Sequence, residues 1–485
     1  MVLSEVTPFA KTGGLADVGG ALPLALSDLG CKVSVVMPFY NRFLEELASE
    51  DPLVGDLLVP LGSRALGTDV YLGKLDDAVD VYFVRRDEFF DRTNLYGTPK
   101  GDYFDNFHRF TYFCRAALAL CPVVQIKPDL VHCHDWQCGL IPAYLRLLYG
   151  SEDYWADTAS MFTIHNMAFQ GRFDAELFPL TGLPAHFFGI DGMEFWGAMN
   201  FMKAAVVCAD VVTTVSPRYS QEIQTQEFGH GLENVLNTHR HKVHGIINGV
   251  DYDIWDPKKD PYIAANYSRM NLDGKRICKL DLLREANLPE RLMNRPLLGM
   301  VSRLADQKGL DLLVAVMEKM VAEDLGLVLL GHGEERYQTL LGELARRYPE
   351  KVTVRLEFDE RMAHKIEAGA DIFLMPSRYE PCGLNQMYSL RYGTVPIVRA
   401  TGGLYDTVSP FDSALGEGVG FRFAEYEPLA FWQAIKLALD LFYEAETWQR
   451  IMRNGMVKDF SWRASARQYL TLYKQAVDSK RGRAS

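Results

Sequence analysis

The residues that could do chemistry concentrate between Ser377 and Asp406. This stretch contains Glu380 with the Pro-Cys-Gly-Leu run behind it, and the turn Thr401-Gly402-Gly403-Leu404. The apolar run 370–376 predicts a buried strand, and helical spacing begins at Leu384. Helix N-termini carry unpaired N–H groups and partial positive charge, so they bind anions. Two such turns could hold a diphosphate and a polar sugar, although ordinary turns of an α/β domain have the same composition.

The glycine turn occurs twice in the chain. Residues 12–17 read T-G-G-L-A-D and residues 401–406 read T-G-G-L-Y-D. Segments 209–219 and 370–379 also share an Ala-Asp start, an apolar run and a later Ser and Tyr. These separations are too long for a solenoid repeat. They predict two similar α/β domains facing each other, each offering a glycine turn to a shared cleft.

Three cations accompany these turns. Arg303 and Lys308 follow the apolar run 297–301, and Lys11 precedes the first glycine turn. Cations beside unpaired helix N–H groups would neutralise a diphosphate and the charge that grows as it leaves. The alternative is that they are solvated loop charges. A cleft lined in this way would close when a ligand bridges both walls.

Polar residues also follow two predicted strands of the first half. His134 and Asp135 end one strand, and His165 and Asn166 follow the next. Strands that alternate with helices predict a parallel, doubly wound sheet, in which ligands bind beyond the carboxyl ends of the strands. Any one of the four could be a solvated loop residue or a helix cap. Together, at two strand ends, they favour a binding cleft.

Composition limits the class of protein. The chain has 485 residues, of which 48% are hydrophobic and 24% charged, as in soluble globular proteins of about two to four domains. Its net charge of −12 argues against a nucleic-acid partner. Eight cysteines without CxxC spacing predict reduced thiols. No stretch reaches about 18 apolar residues, and no signal or transit peptide precedes Lys11, which predicts no membrane partner and a cytoplasmic location.

Few residues are available for a first strand at the beginning of the chain. Only residues 1–4 precede Glu5, whereas strands commonly have about five to six residues. We expect either that a few residues of this strand are missing from the chain or that the strand is short.

Several catalytic templates are missing. The sequence has neither the G-x-x-x-x-G-K-[ST] phosphate loop nor the G-x-S-x-G nucleophile turn. Asp251-Tyr252-Asp253 resembles the D-x-D that holds a metal on sugar nucleotides, but no carboxylate cluster lies near it in sequence. We interpret it as a turn where the chain crosses between domains. Neither a metal nor a cofactor is expected, because the three cations could stabilise a leaving diphosphate themselves.

Taken together, the motifs resemble those of bacterial glycogen synthases and plant starch synthases over nearly the whole chain. They are 11–18, 134–136, 165–166, 248–251, 302–303, 307–309, 380–384 and 401–404. The resemblance implies a retaining glucosyltransferase of the GT-B fold, an α/β class with two Rossmann-like doubly wound domains facing across a cleft. It implies ADP-glucose as donor and the non-reducing end of an α-1,4-glucan, such as glycogen, as acceptor.

The same resemblance predicts the domain organisation. Residues 1–246 would form an acceptor-side Rossmann-like domain, and residues 247–460 a domain that binds the nucleotide sugar. Residues 461–485 would form a closing helix and tail that pack back on the first domain.

Catalytic roles follow from the resemblance, position by position. Arg303 and Lys308 would bind the diphosphate, with Lys11 reaching it from the first domain. Glu380 would hydrogen-bond the donor glucose. The backbone carbonyl of His165 would support the oxocarbenium-like charge.

The resemblance also assigns residues to the substrates. Backbone amides around Gly383 would contact sugar and phosphate, and Phe358 falls where the family has a tyrosine against the adenine. Asn385 replaces a threonine of the family pattern. The predicted substrate-binding residues are Lys11, Gly14, Asp17, Asp135, Asn166, Asn248, Phe358, Cys382, Gly383, Leu384, Asn385, Thr401 and Gly402.

The predicted mechanism has no enzyme nucleophile. Related retaining enzymes carry a second glutamate eight positions after the first, and here that position is Tyr388. A double-carboxylate mechanism is therefore not supported. The alternatives are a UDP-glucose-dependent glucosyltransferase and a glucan-binding scaffold without catalysis. Glycogen phosphorylase is disfavoured, because it is far longer and no lysine lies in a setting comparable to its pyridoxal phosphate site.

Overall fold

The computed structural model describes residues 1–40, 51–98 and 100–482. The chain divides into two compact units, here called the N-terminal unit (Met1–Gly249 with Trp462–Ser485) and the C-terminal unit (Val250–Ser461). The first crossing lies three residues beyond the predicted boundary at 246. The reason is local packing: Ser465 Oγ donates to the carbonyl of Ile247, 2.7 Å away. Residues 483–485 of the predicted tail lie outside the described residues.

The N-terminal unit is built on strands that alternate with helices. Its strands are β1 Ser34–Pro38, β2 Val54–Leu61, β3 Arg64–Leu75, β4 Val79–Arg85, β5 Gly97–Thr98, β6 Gly101–Asp102, β7 Leu130–His134, β8 Ala159–Ile164, β9 Arg172–Asp174, β10 Glu194–Phe195, β11 Ala198–Asn200, β12 Val211–Thr214 and β13 Val243–Gly245. Its helices before the crossing are α1 Gly14–Asp28, α2 Asp87–Phe90, α3 Asn106–Val123, α4 Ile141–Leu147, α5 Phe201–Cys208, α6 Pro217–Glu222 and α7 Glu233–Thr238. Short 3₁₀ turns cover Trp136–Cys138, Ala175–Thr181, Ala185–Phe187 and Arg240–Lys242.

The first residues of the chain connect two halves of this unit's sheet. The halves have the orders β1-β4-β3-β2 and β13-β12-β8-β7. Val2 forms parallel bridges to Val36 in β1 and to Cys133 in β7. Because parallel strands end at one edge of a sheet, Glu5 and the end of β7 belong to the same edge.

The segment 168–198 lacks a clear hydrophobic period in the sequence, and yet it is folded. It contains 3₁₀ turns and the strands β9 and β10, which form a small antiparallel sheet with β11 in the order β10-β11-β9. Strands of two or three residues are too short for a hydrophobic period to indicate them. The segment therefore has regular structure that the sequence pattern does not show.

The C-terminal unit has a single parallel sheet. Its strands are β14 Leu297–Val301, β15 Gly326–Leu330, β16 Val352–Arg355, β17 Ile372–Met375, β18 Val395–Arg399 and β19 Phe421–Phe423. Its helices are α8 Asp273–Glu285, α9 Leu310–Ala322, α10 Glu335–Arg347, α11 Glu360–Gly369, α12 Asn385–Tyr392, α13 Gly402–Thr407, α14 Pro428–Phe442 and α15 Ala445–Met456, with 3₁₀ turns at Glu290–Asn294 and Asp306–Lys308.

The strand order of this sheet creates a crevice. The order is β16-β15-β14-β17-β18-β19, so the direction of winding reverses between β14 and β17. Core clusters of buried apolar residues lie on its strands and the surrounding helices, which explains the continuous apolar runs in β14 and β17. In doubly wound sheets ligands bind at the carboxyl ends of the strands, at this switch point.

The last helix, α16 Trp462–Lys480, packs on the N-terminal unit as predicted. Its apolar face recurs at intervals of three to four residues through Trp462, Ala466 and Tyr469. This face forms one core cluster with Val18 and Leu22 of α1. Among the residues that the structure describes, no helix is long and apolar enough to cross a bilayer.

Candidate functional site

A cavity of about 200 Å³ lies at the switch point of the C-terminal unit. The end of β14, the end of β17 and the start of α12 form its walls. The lining residues are Met300, Val301, Ser302, Arg303, Lys308, Leu374, Met375, Ser377, Glu380, Gly383, Leu384 and Asn385. The structure thus brings together two of the three predicted cations, Arg303 and Lys308, with Glu380 and part of the predicted glycine turn.

Lys308 and Glu380 form an ion pair in this cavity. The Nζ atom of Lys308 lies 2.6 Å from Oε2 of Glu380, and the two side chains are 17% and 8% exposed. Ser377 Oγ donates to the same carboxylate oxygen at 3.1 Å. Ser377 was not predicted as a site residue, although its place at the end of a strand could have indicated it. The arrangement fixes a carboxylate that can accept a hydrogen bond from a hydroxyl, beside a cation that can pair with a phosphate.

The turn before α12 needs its glycine. Gly383 has φ of +72°, and a Cβ there would lie 2.5 Å from Oε1 of Gln386. Helix α12 begins two residues later at Asn385, with no side-chain cap on its first turn. Asn385 Nδ2 instead donates to the carbonyl of Val301 at 2.7 Å, which ties the helix to β14. The N-terminus of α12 therefore meets the cavity and can bind an anion.

The second glycine turn supports the first one. The N–H of Gly403 donates to the carbonyls of Glu380 and Pro381, 3.2 and 3.1 Å away. Gly402 has φ of +43°, and a Cβ there would lie 2.0 Å from the Glu380 carbonyl oxygen. The expectation that both turns offer unpaired N–H groups is thus wrong for Gly403. Its amide is satisfied by the backbone that carries Glu380.

The glycine turn of the N-terminal unit is also satisfied internally. The buried carboxylate of Glu5 accepts from Thr12 N at 2.5 Å, Thr12 Oγ1 at 2.7 Å and Gly13 N at 3.3 Å. Tyr96 OH donates to it at 2.6 Å. The N–H groups of Thr12 and Gly13 are therefore not free to bind an anion, because the carboxylate of Glu5 already accepts from them. Sequence reasoning missed Glu5, since a lone acid after an apolar run carries no motif.

Neighbouring residues of this turn remain exposed. Lys11 Nζ lies 2.5 Å from Oδ1 of Asp17, and both side chains contact solvent. Gly14 begins α1, and a Cβ at this position would meet no atom within 4 Å. In this structure the predicted cation is therefore paired with the predicted sugar-binding carboxylate.

A histidine pair lies at the ends of β7 and β8. Nδ1 of His134 is 3.0 Å from Nε2 of His165, and the N–H of His165 donates to Oδ1 of Asp135 at 2.8 Å. Asp135 has φ of +55°, a left-handed conformation. Burial lowers the pKa of His165 to about 3 and that of His134 well below its usual value, so both rings are neutral at pH 7. Burial raises the pKa of Asp135 to about 7.

Other contacts hold this pair in place. Nδ1 of His132 lies 2.6 Å from the hydroxyl of Tyr473 on α16, and its ring centroid lies 4.0 Å from that of His134. Asn166 Oδ1 accepts from Ala168 N at 3.0 Å. The predicted residues of the two strand ends are therefore neighbours, supported by the last helix of the chain.

The remaining predicted residues differ in their surroundings. Asn248 is buried in the N-terminal unit, whereas the prediction assigned it to the second domain. Phe358 is 91% exposed after β16, while Cys382 and Thr401 are buried. Ser302 Oγ, in the cavity wall, is buried without a hydrogen-bond partner among the described residues. An unpartnered hydroxyl suits a polar ligand.

Tyr388 and the segment 251–253 contact other residues of the protein. The ring of Tyr388 stacks on Trp255 with centroids 4.0 Å apart, and the ring of His364 stacks on Trp255 at 3.8 Å. Asp251 Oδ1 accepts from Asp253 N at 2.8 Å, which closes the D-x-D segment as a turn. In the described ranges no group of three or more metal-ligating side chains could hold a metal ion.

Comparison with known proteins decides the family. Residues 1–238 match the model described as starch synthase catalytic domain, and residues 286–455 match glycosyl transferases group 1. A glycogen synthase of Koribacter versatilis is 49% identical, over 98% of this chain and 97% of that protein. The chain belongs to the glycogen and starch synthase family. A glycogen synthase of Thermotoga maritima is 44% identical, over 98% of this chain and 97% of that protein. This glycogen synthase family member is thus a glycosyltransferase that transfers glucosyl units to glucan.

Solved structures agree with the family. The catalytic domain of starch synthase IV from Arabidopsis thaliana, bound to ADP and acarbose, has a TM-score of 0.88 at 33% identity, over 98% of each chain. Sucrose-phosphate synthase from Thermosynechococcus elongatus has a TM-score of 0.60 at 18% identity, over 98% of this chain and 97% of that one, and shows likeness of fold alone. The predicted fold class, GT-B with two Rossmann-like units, is confirmed.

Proposed function

We propose that this enzyme transfers glucose from ADP-glucose to O4 at the non-reducing end of an α-1,4-glucan, with retention, and so elongates glycogen and releases ADP. The observation that carries the proposal is the cavity that holds the Lys308–Glu380 pair beside the N-terminus of α12. A cation and an uncapped helix end suit a diphosphate. A fixed carboxylate suits the hydroxyls of a sugar.

The proposed reaction needs no nucleophile from the protein. The bond from glucose C1 to the diphosphate oxygen breaks while acceptor O4 bonds to C1 on the same face. The leaving phosphate oxygen takes the O4 proton, so charge and atoms balance. Arg303 and Lys308 stabilise the diphosphate as its charge grows, and Glu380 orients the glucose. Tyr388, where a second carboxylate would stand, is held in the stack with Trp255.

Several assignments stay predictions that rest on the family resemblance. They concern the backbone carbonyl of His165 at the reacting carbon and Lys11 at the diphosphate. Asp17, Asp135 and Asn166 are assigned to the glucose and acceptor in the same way. The assignment of the adenine to Phe358 is supported by the exposure of its ring, because an exposed aromatic face can stack on a base.

The cellular setting belongs to the same proposal. We place the enzyme in the cytoplasm of a bacterium. The compared glycogen synthases come from bacteria, and all eight cysteines are free thiols, as a reducing compartment requires.

The test is release of labelled ADP from ADP-glucose with glycogen present, beside UDP-glucose and with a chelator added. We expect turnover with ADP-glucose, undiminished by the chelator, and elongation products cut by an enzyme specific for α-linkages. Equal or faster turnover with UDP-glucose would overturn the assignment of the donor. Absence of turnover with both donors would favour a glucan-binding scaffold.

A further inference from the structure

A hairpin in the N-terminal unit carries a tryptophan in a position that disfavours it. Phe195 of β10 pairs with Ala198 of β11, so Trp196 and Gly197 form a two-residue loop. Their φ values are +51° and +79°. Positive φ at both positions is the mark of a type I′ turn, which favours Asn, Asp or Gly. A bulky residue at positive φ is strained, so Trp196 destabilises its own turn.

The side chain of Trp196 is stacked on one side and yet exposed. It is 75% exposed, although its ring stacks on that of buried Phe195 with centroids 4.7 Å apart and planes at 19°. Gly231 packs beside both rings, because a Cβ there would lie 2.9 Å from Phe195 and 3.1 Å from Trp196. The indole therefore has one supported side, and most of its surface faces solvent.

A cation completes the arrangement. The guanidinium carbon of Arg172 lies 5.1 Å from the ring centroid of Phe195 and 5.9 Å from that of Trp196. We call these three side chains the aromatic platform. It presents a flat apolar ring with hydrogen-bond donors beside it.

The platform is continuous with the predicted acceptor side of the same unit. Strand β9, which carries Arg172, follows the His165–Asn166 turn in the chain. The next residue, Phe173, packs on Trp136 with ring centroids 5.7 Å apart. Trp136 directly follows Asp135, so β9 packs on the strand ends through Phe173 and carries the platform residue Arg172 next to it.

We infer that the aromatic platform binds the α-1,4-glucan chain at a distance from its reacting end. A pyranose ring has an apolar face of C–H groups that can cover an indole, and its hydroxyls can accept from a guanidinium. The strain and exposure of Trp196 are then retained because the ring binds ligand. The inference rests on the proposed function only for the identity of the ligand.

The test is native electrophoresis in gels with and without glycogen, in the absence of ADP-glucose. We expect glycogen to retard the wild-type protein, and Trp196→Asn to raise the apparent dissociation constant at least about threefold. The same variant should melt at an equal or higher temperature, because Asn suits the turn. Trp196→Tyr keeps an aromatic face and should remain retarded. Tyr443→Ala removes an exposed ring of the C-terminal unit and serves as the matched control.

A measurement on the wild-type protein covers the case in which Trp196→Asn fails to fold. Maltoheptaose should slow the oxidation of Trp196 by N-bromosuccinimide, read by mass spectrometry of the peptide. An unchanged oxidation rate would overturn the inference. In the gel experiment, equal retardation of the wild type and Trp196→Asn would also overturn the inference. So would a wild-type protein that glycogen does not retard.

The outcomes separate this inference from the proposed function. Retardation that depends on Trp196, in a protein without glucosyl transfer, would keep the platform and remove the proposed reaction. If the protein transfers glucose but Trp196→Asn does not change its retardation by glycogen, the proposed reaction stands and the platform inference fails. If Trp196→Asn lowered the mass in solution without changing retardation, the platform would be a contact between copies and the inference would fail.

Discussion

Lys308 Nζ lies 2.6 Å from Glu380 Oε2 in the cavity of the C-terminal unit. The two charges neutralise each other in the absence of a ligand, so neither is left unpaired in a largely buried place. Ser377 adds a hydrogen bond to the same oxygen and fixes the carboxylate further. A diphosphate that attracts Lys308 would thus compete with Glu380 for the same cation.

Removal of the charge of Glu380 should affect turnover more than donor binding. We expect Glu380→Gln to lower kcat about 100-fold, because an oriented charged acceptor on the sugar is lost, while the affinity for ADP-glucose changes little. Steady-state kinetics and calorimetric donor binding would measure this. Ser377→Ala, which removes only one hydrogen bond to the carboxylate, is the control and should have a much smaller effect. An unchanged kcat in Glu380→Gln, or a trapped glucosyl–enzyme ester in the wild type, would contradict the mechanism.

Asp135 should make stability depend on pH. Burial raises its pKa to about 7, above the value of about 3.9 in an unfolded chain. Between these values the folded state keeps a proton that the unfolded state releases, so this group destabilises the protein as pH rises. The slope is at most about 1.4 kcal/mol per pH unit.

Asp135→Asn keeps the acceptor for His165 N–H but cannot ionise. Urea unfolding at pH 5 and pH 8 should therefore show a smaller loss of stability in the variant than in the wild type. Identical pH dependence in the two proteins would show that Asp135 titrates normally.

Glu5 should hold the glycine turn of the N-terminal unit. Glu5→Gln would turn an amide donor toward Thr12 N or Tyr96 OH, and one part-buried donor would lose its acceptor. We expect a loss of about 1–3 kcal/mol in stability and faster hydrogen exchange at Thr12. Tyr96→Phe removes one donor and leaves the turn amides paired, so exchange at Thr12 should stay slow. Slow exchange in both variants would speak against this role.

Gly249 should tolerate no side chain. A Cβ there would lie 2.4 Å from Cα of Trp462, a backbone atom that cannot rotate away. Gly249→Ala should lower the free energy of unfolding by about 1–3 kcal/mol in a denaturant titration. The control is Gly342→Ala in α10, where no atom lies within 4 Å of a Cβ, and a gain of about 0.5–1 kcal/mol is expected. Equal effects at both positions would refute the steric argument.

The sequence predicted the sheet elements well where both faces are buried. The apolar run 297–301 is β14 without any shift, and β17 lies within the predicted run 370–376. Continuous apolar runs that end in polar residues leave few other interpretations. The cavity residues Arg303, Lys308 and Glu380 were also found, because strand ends and glycine turns indicate the edge of the sheet where ligands bind.

Features that depend on distant contacts could not be predicted in this way. The unit to which Asn248 belongs is decided by packing between the segment 247–249 and α16, more than 200 residues later. The unpaired N–H group expected at the second glycine turn was wrong, because the carbonyls of Glu380 and Pro381 accept from Gly403. The role of Glu5 was missed, because no local pattern connects it with Thr12. Hydrophobic periodicity carries no information about such partners.

The position of α16 has a consequence for the synthesis of the chain on the ribosome. Trp462, Ala466 and Tyr469 belong to the same core as α1, a helix that is made long before them. Domains commonly fold in order as they emerge, but here the first unit lacks part of its core until α16 has been made. Until then the apolar face of α1 that α16 covers is exposed on the nascent chain, and such a surface can bind a chaperone or aggregate.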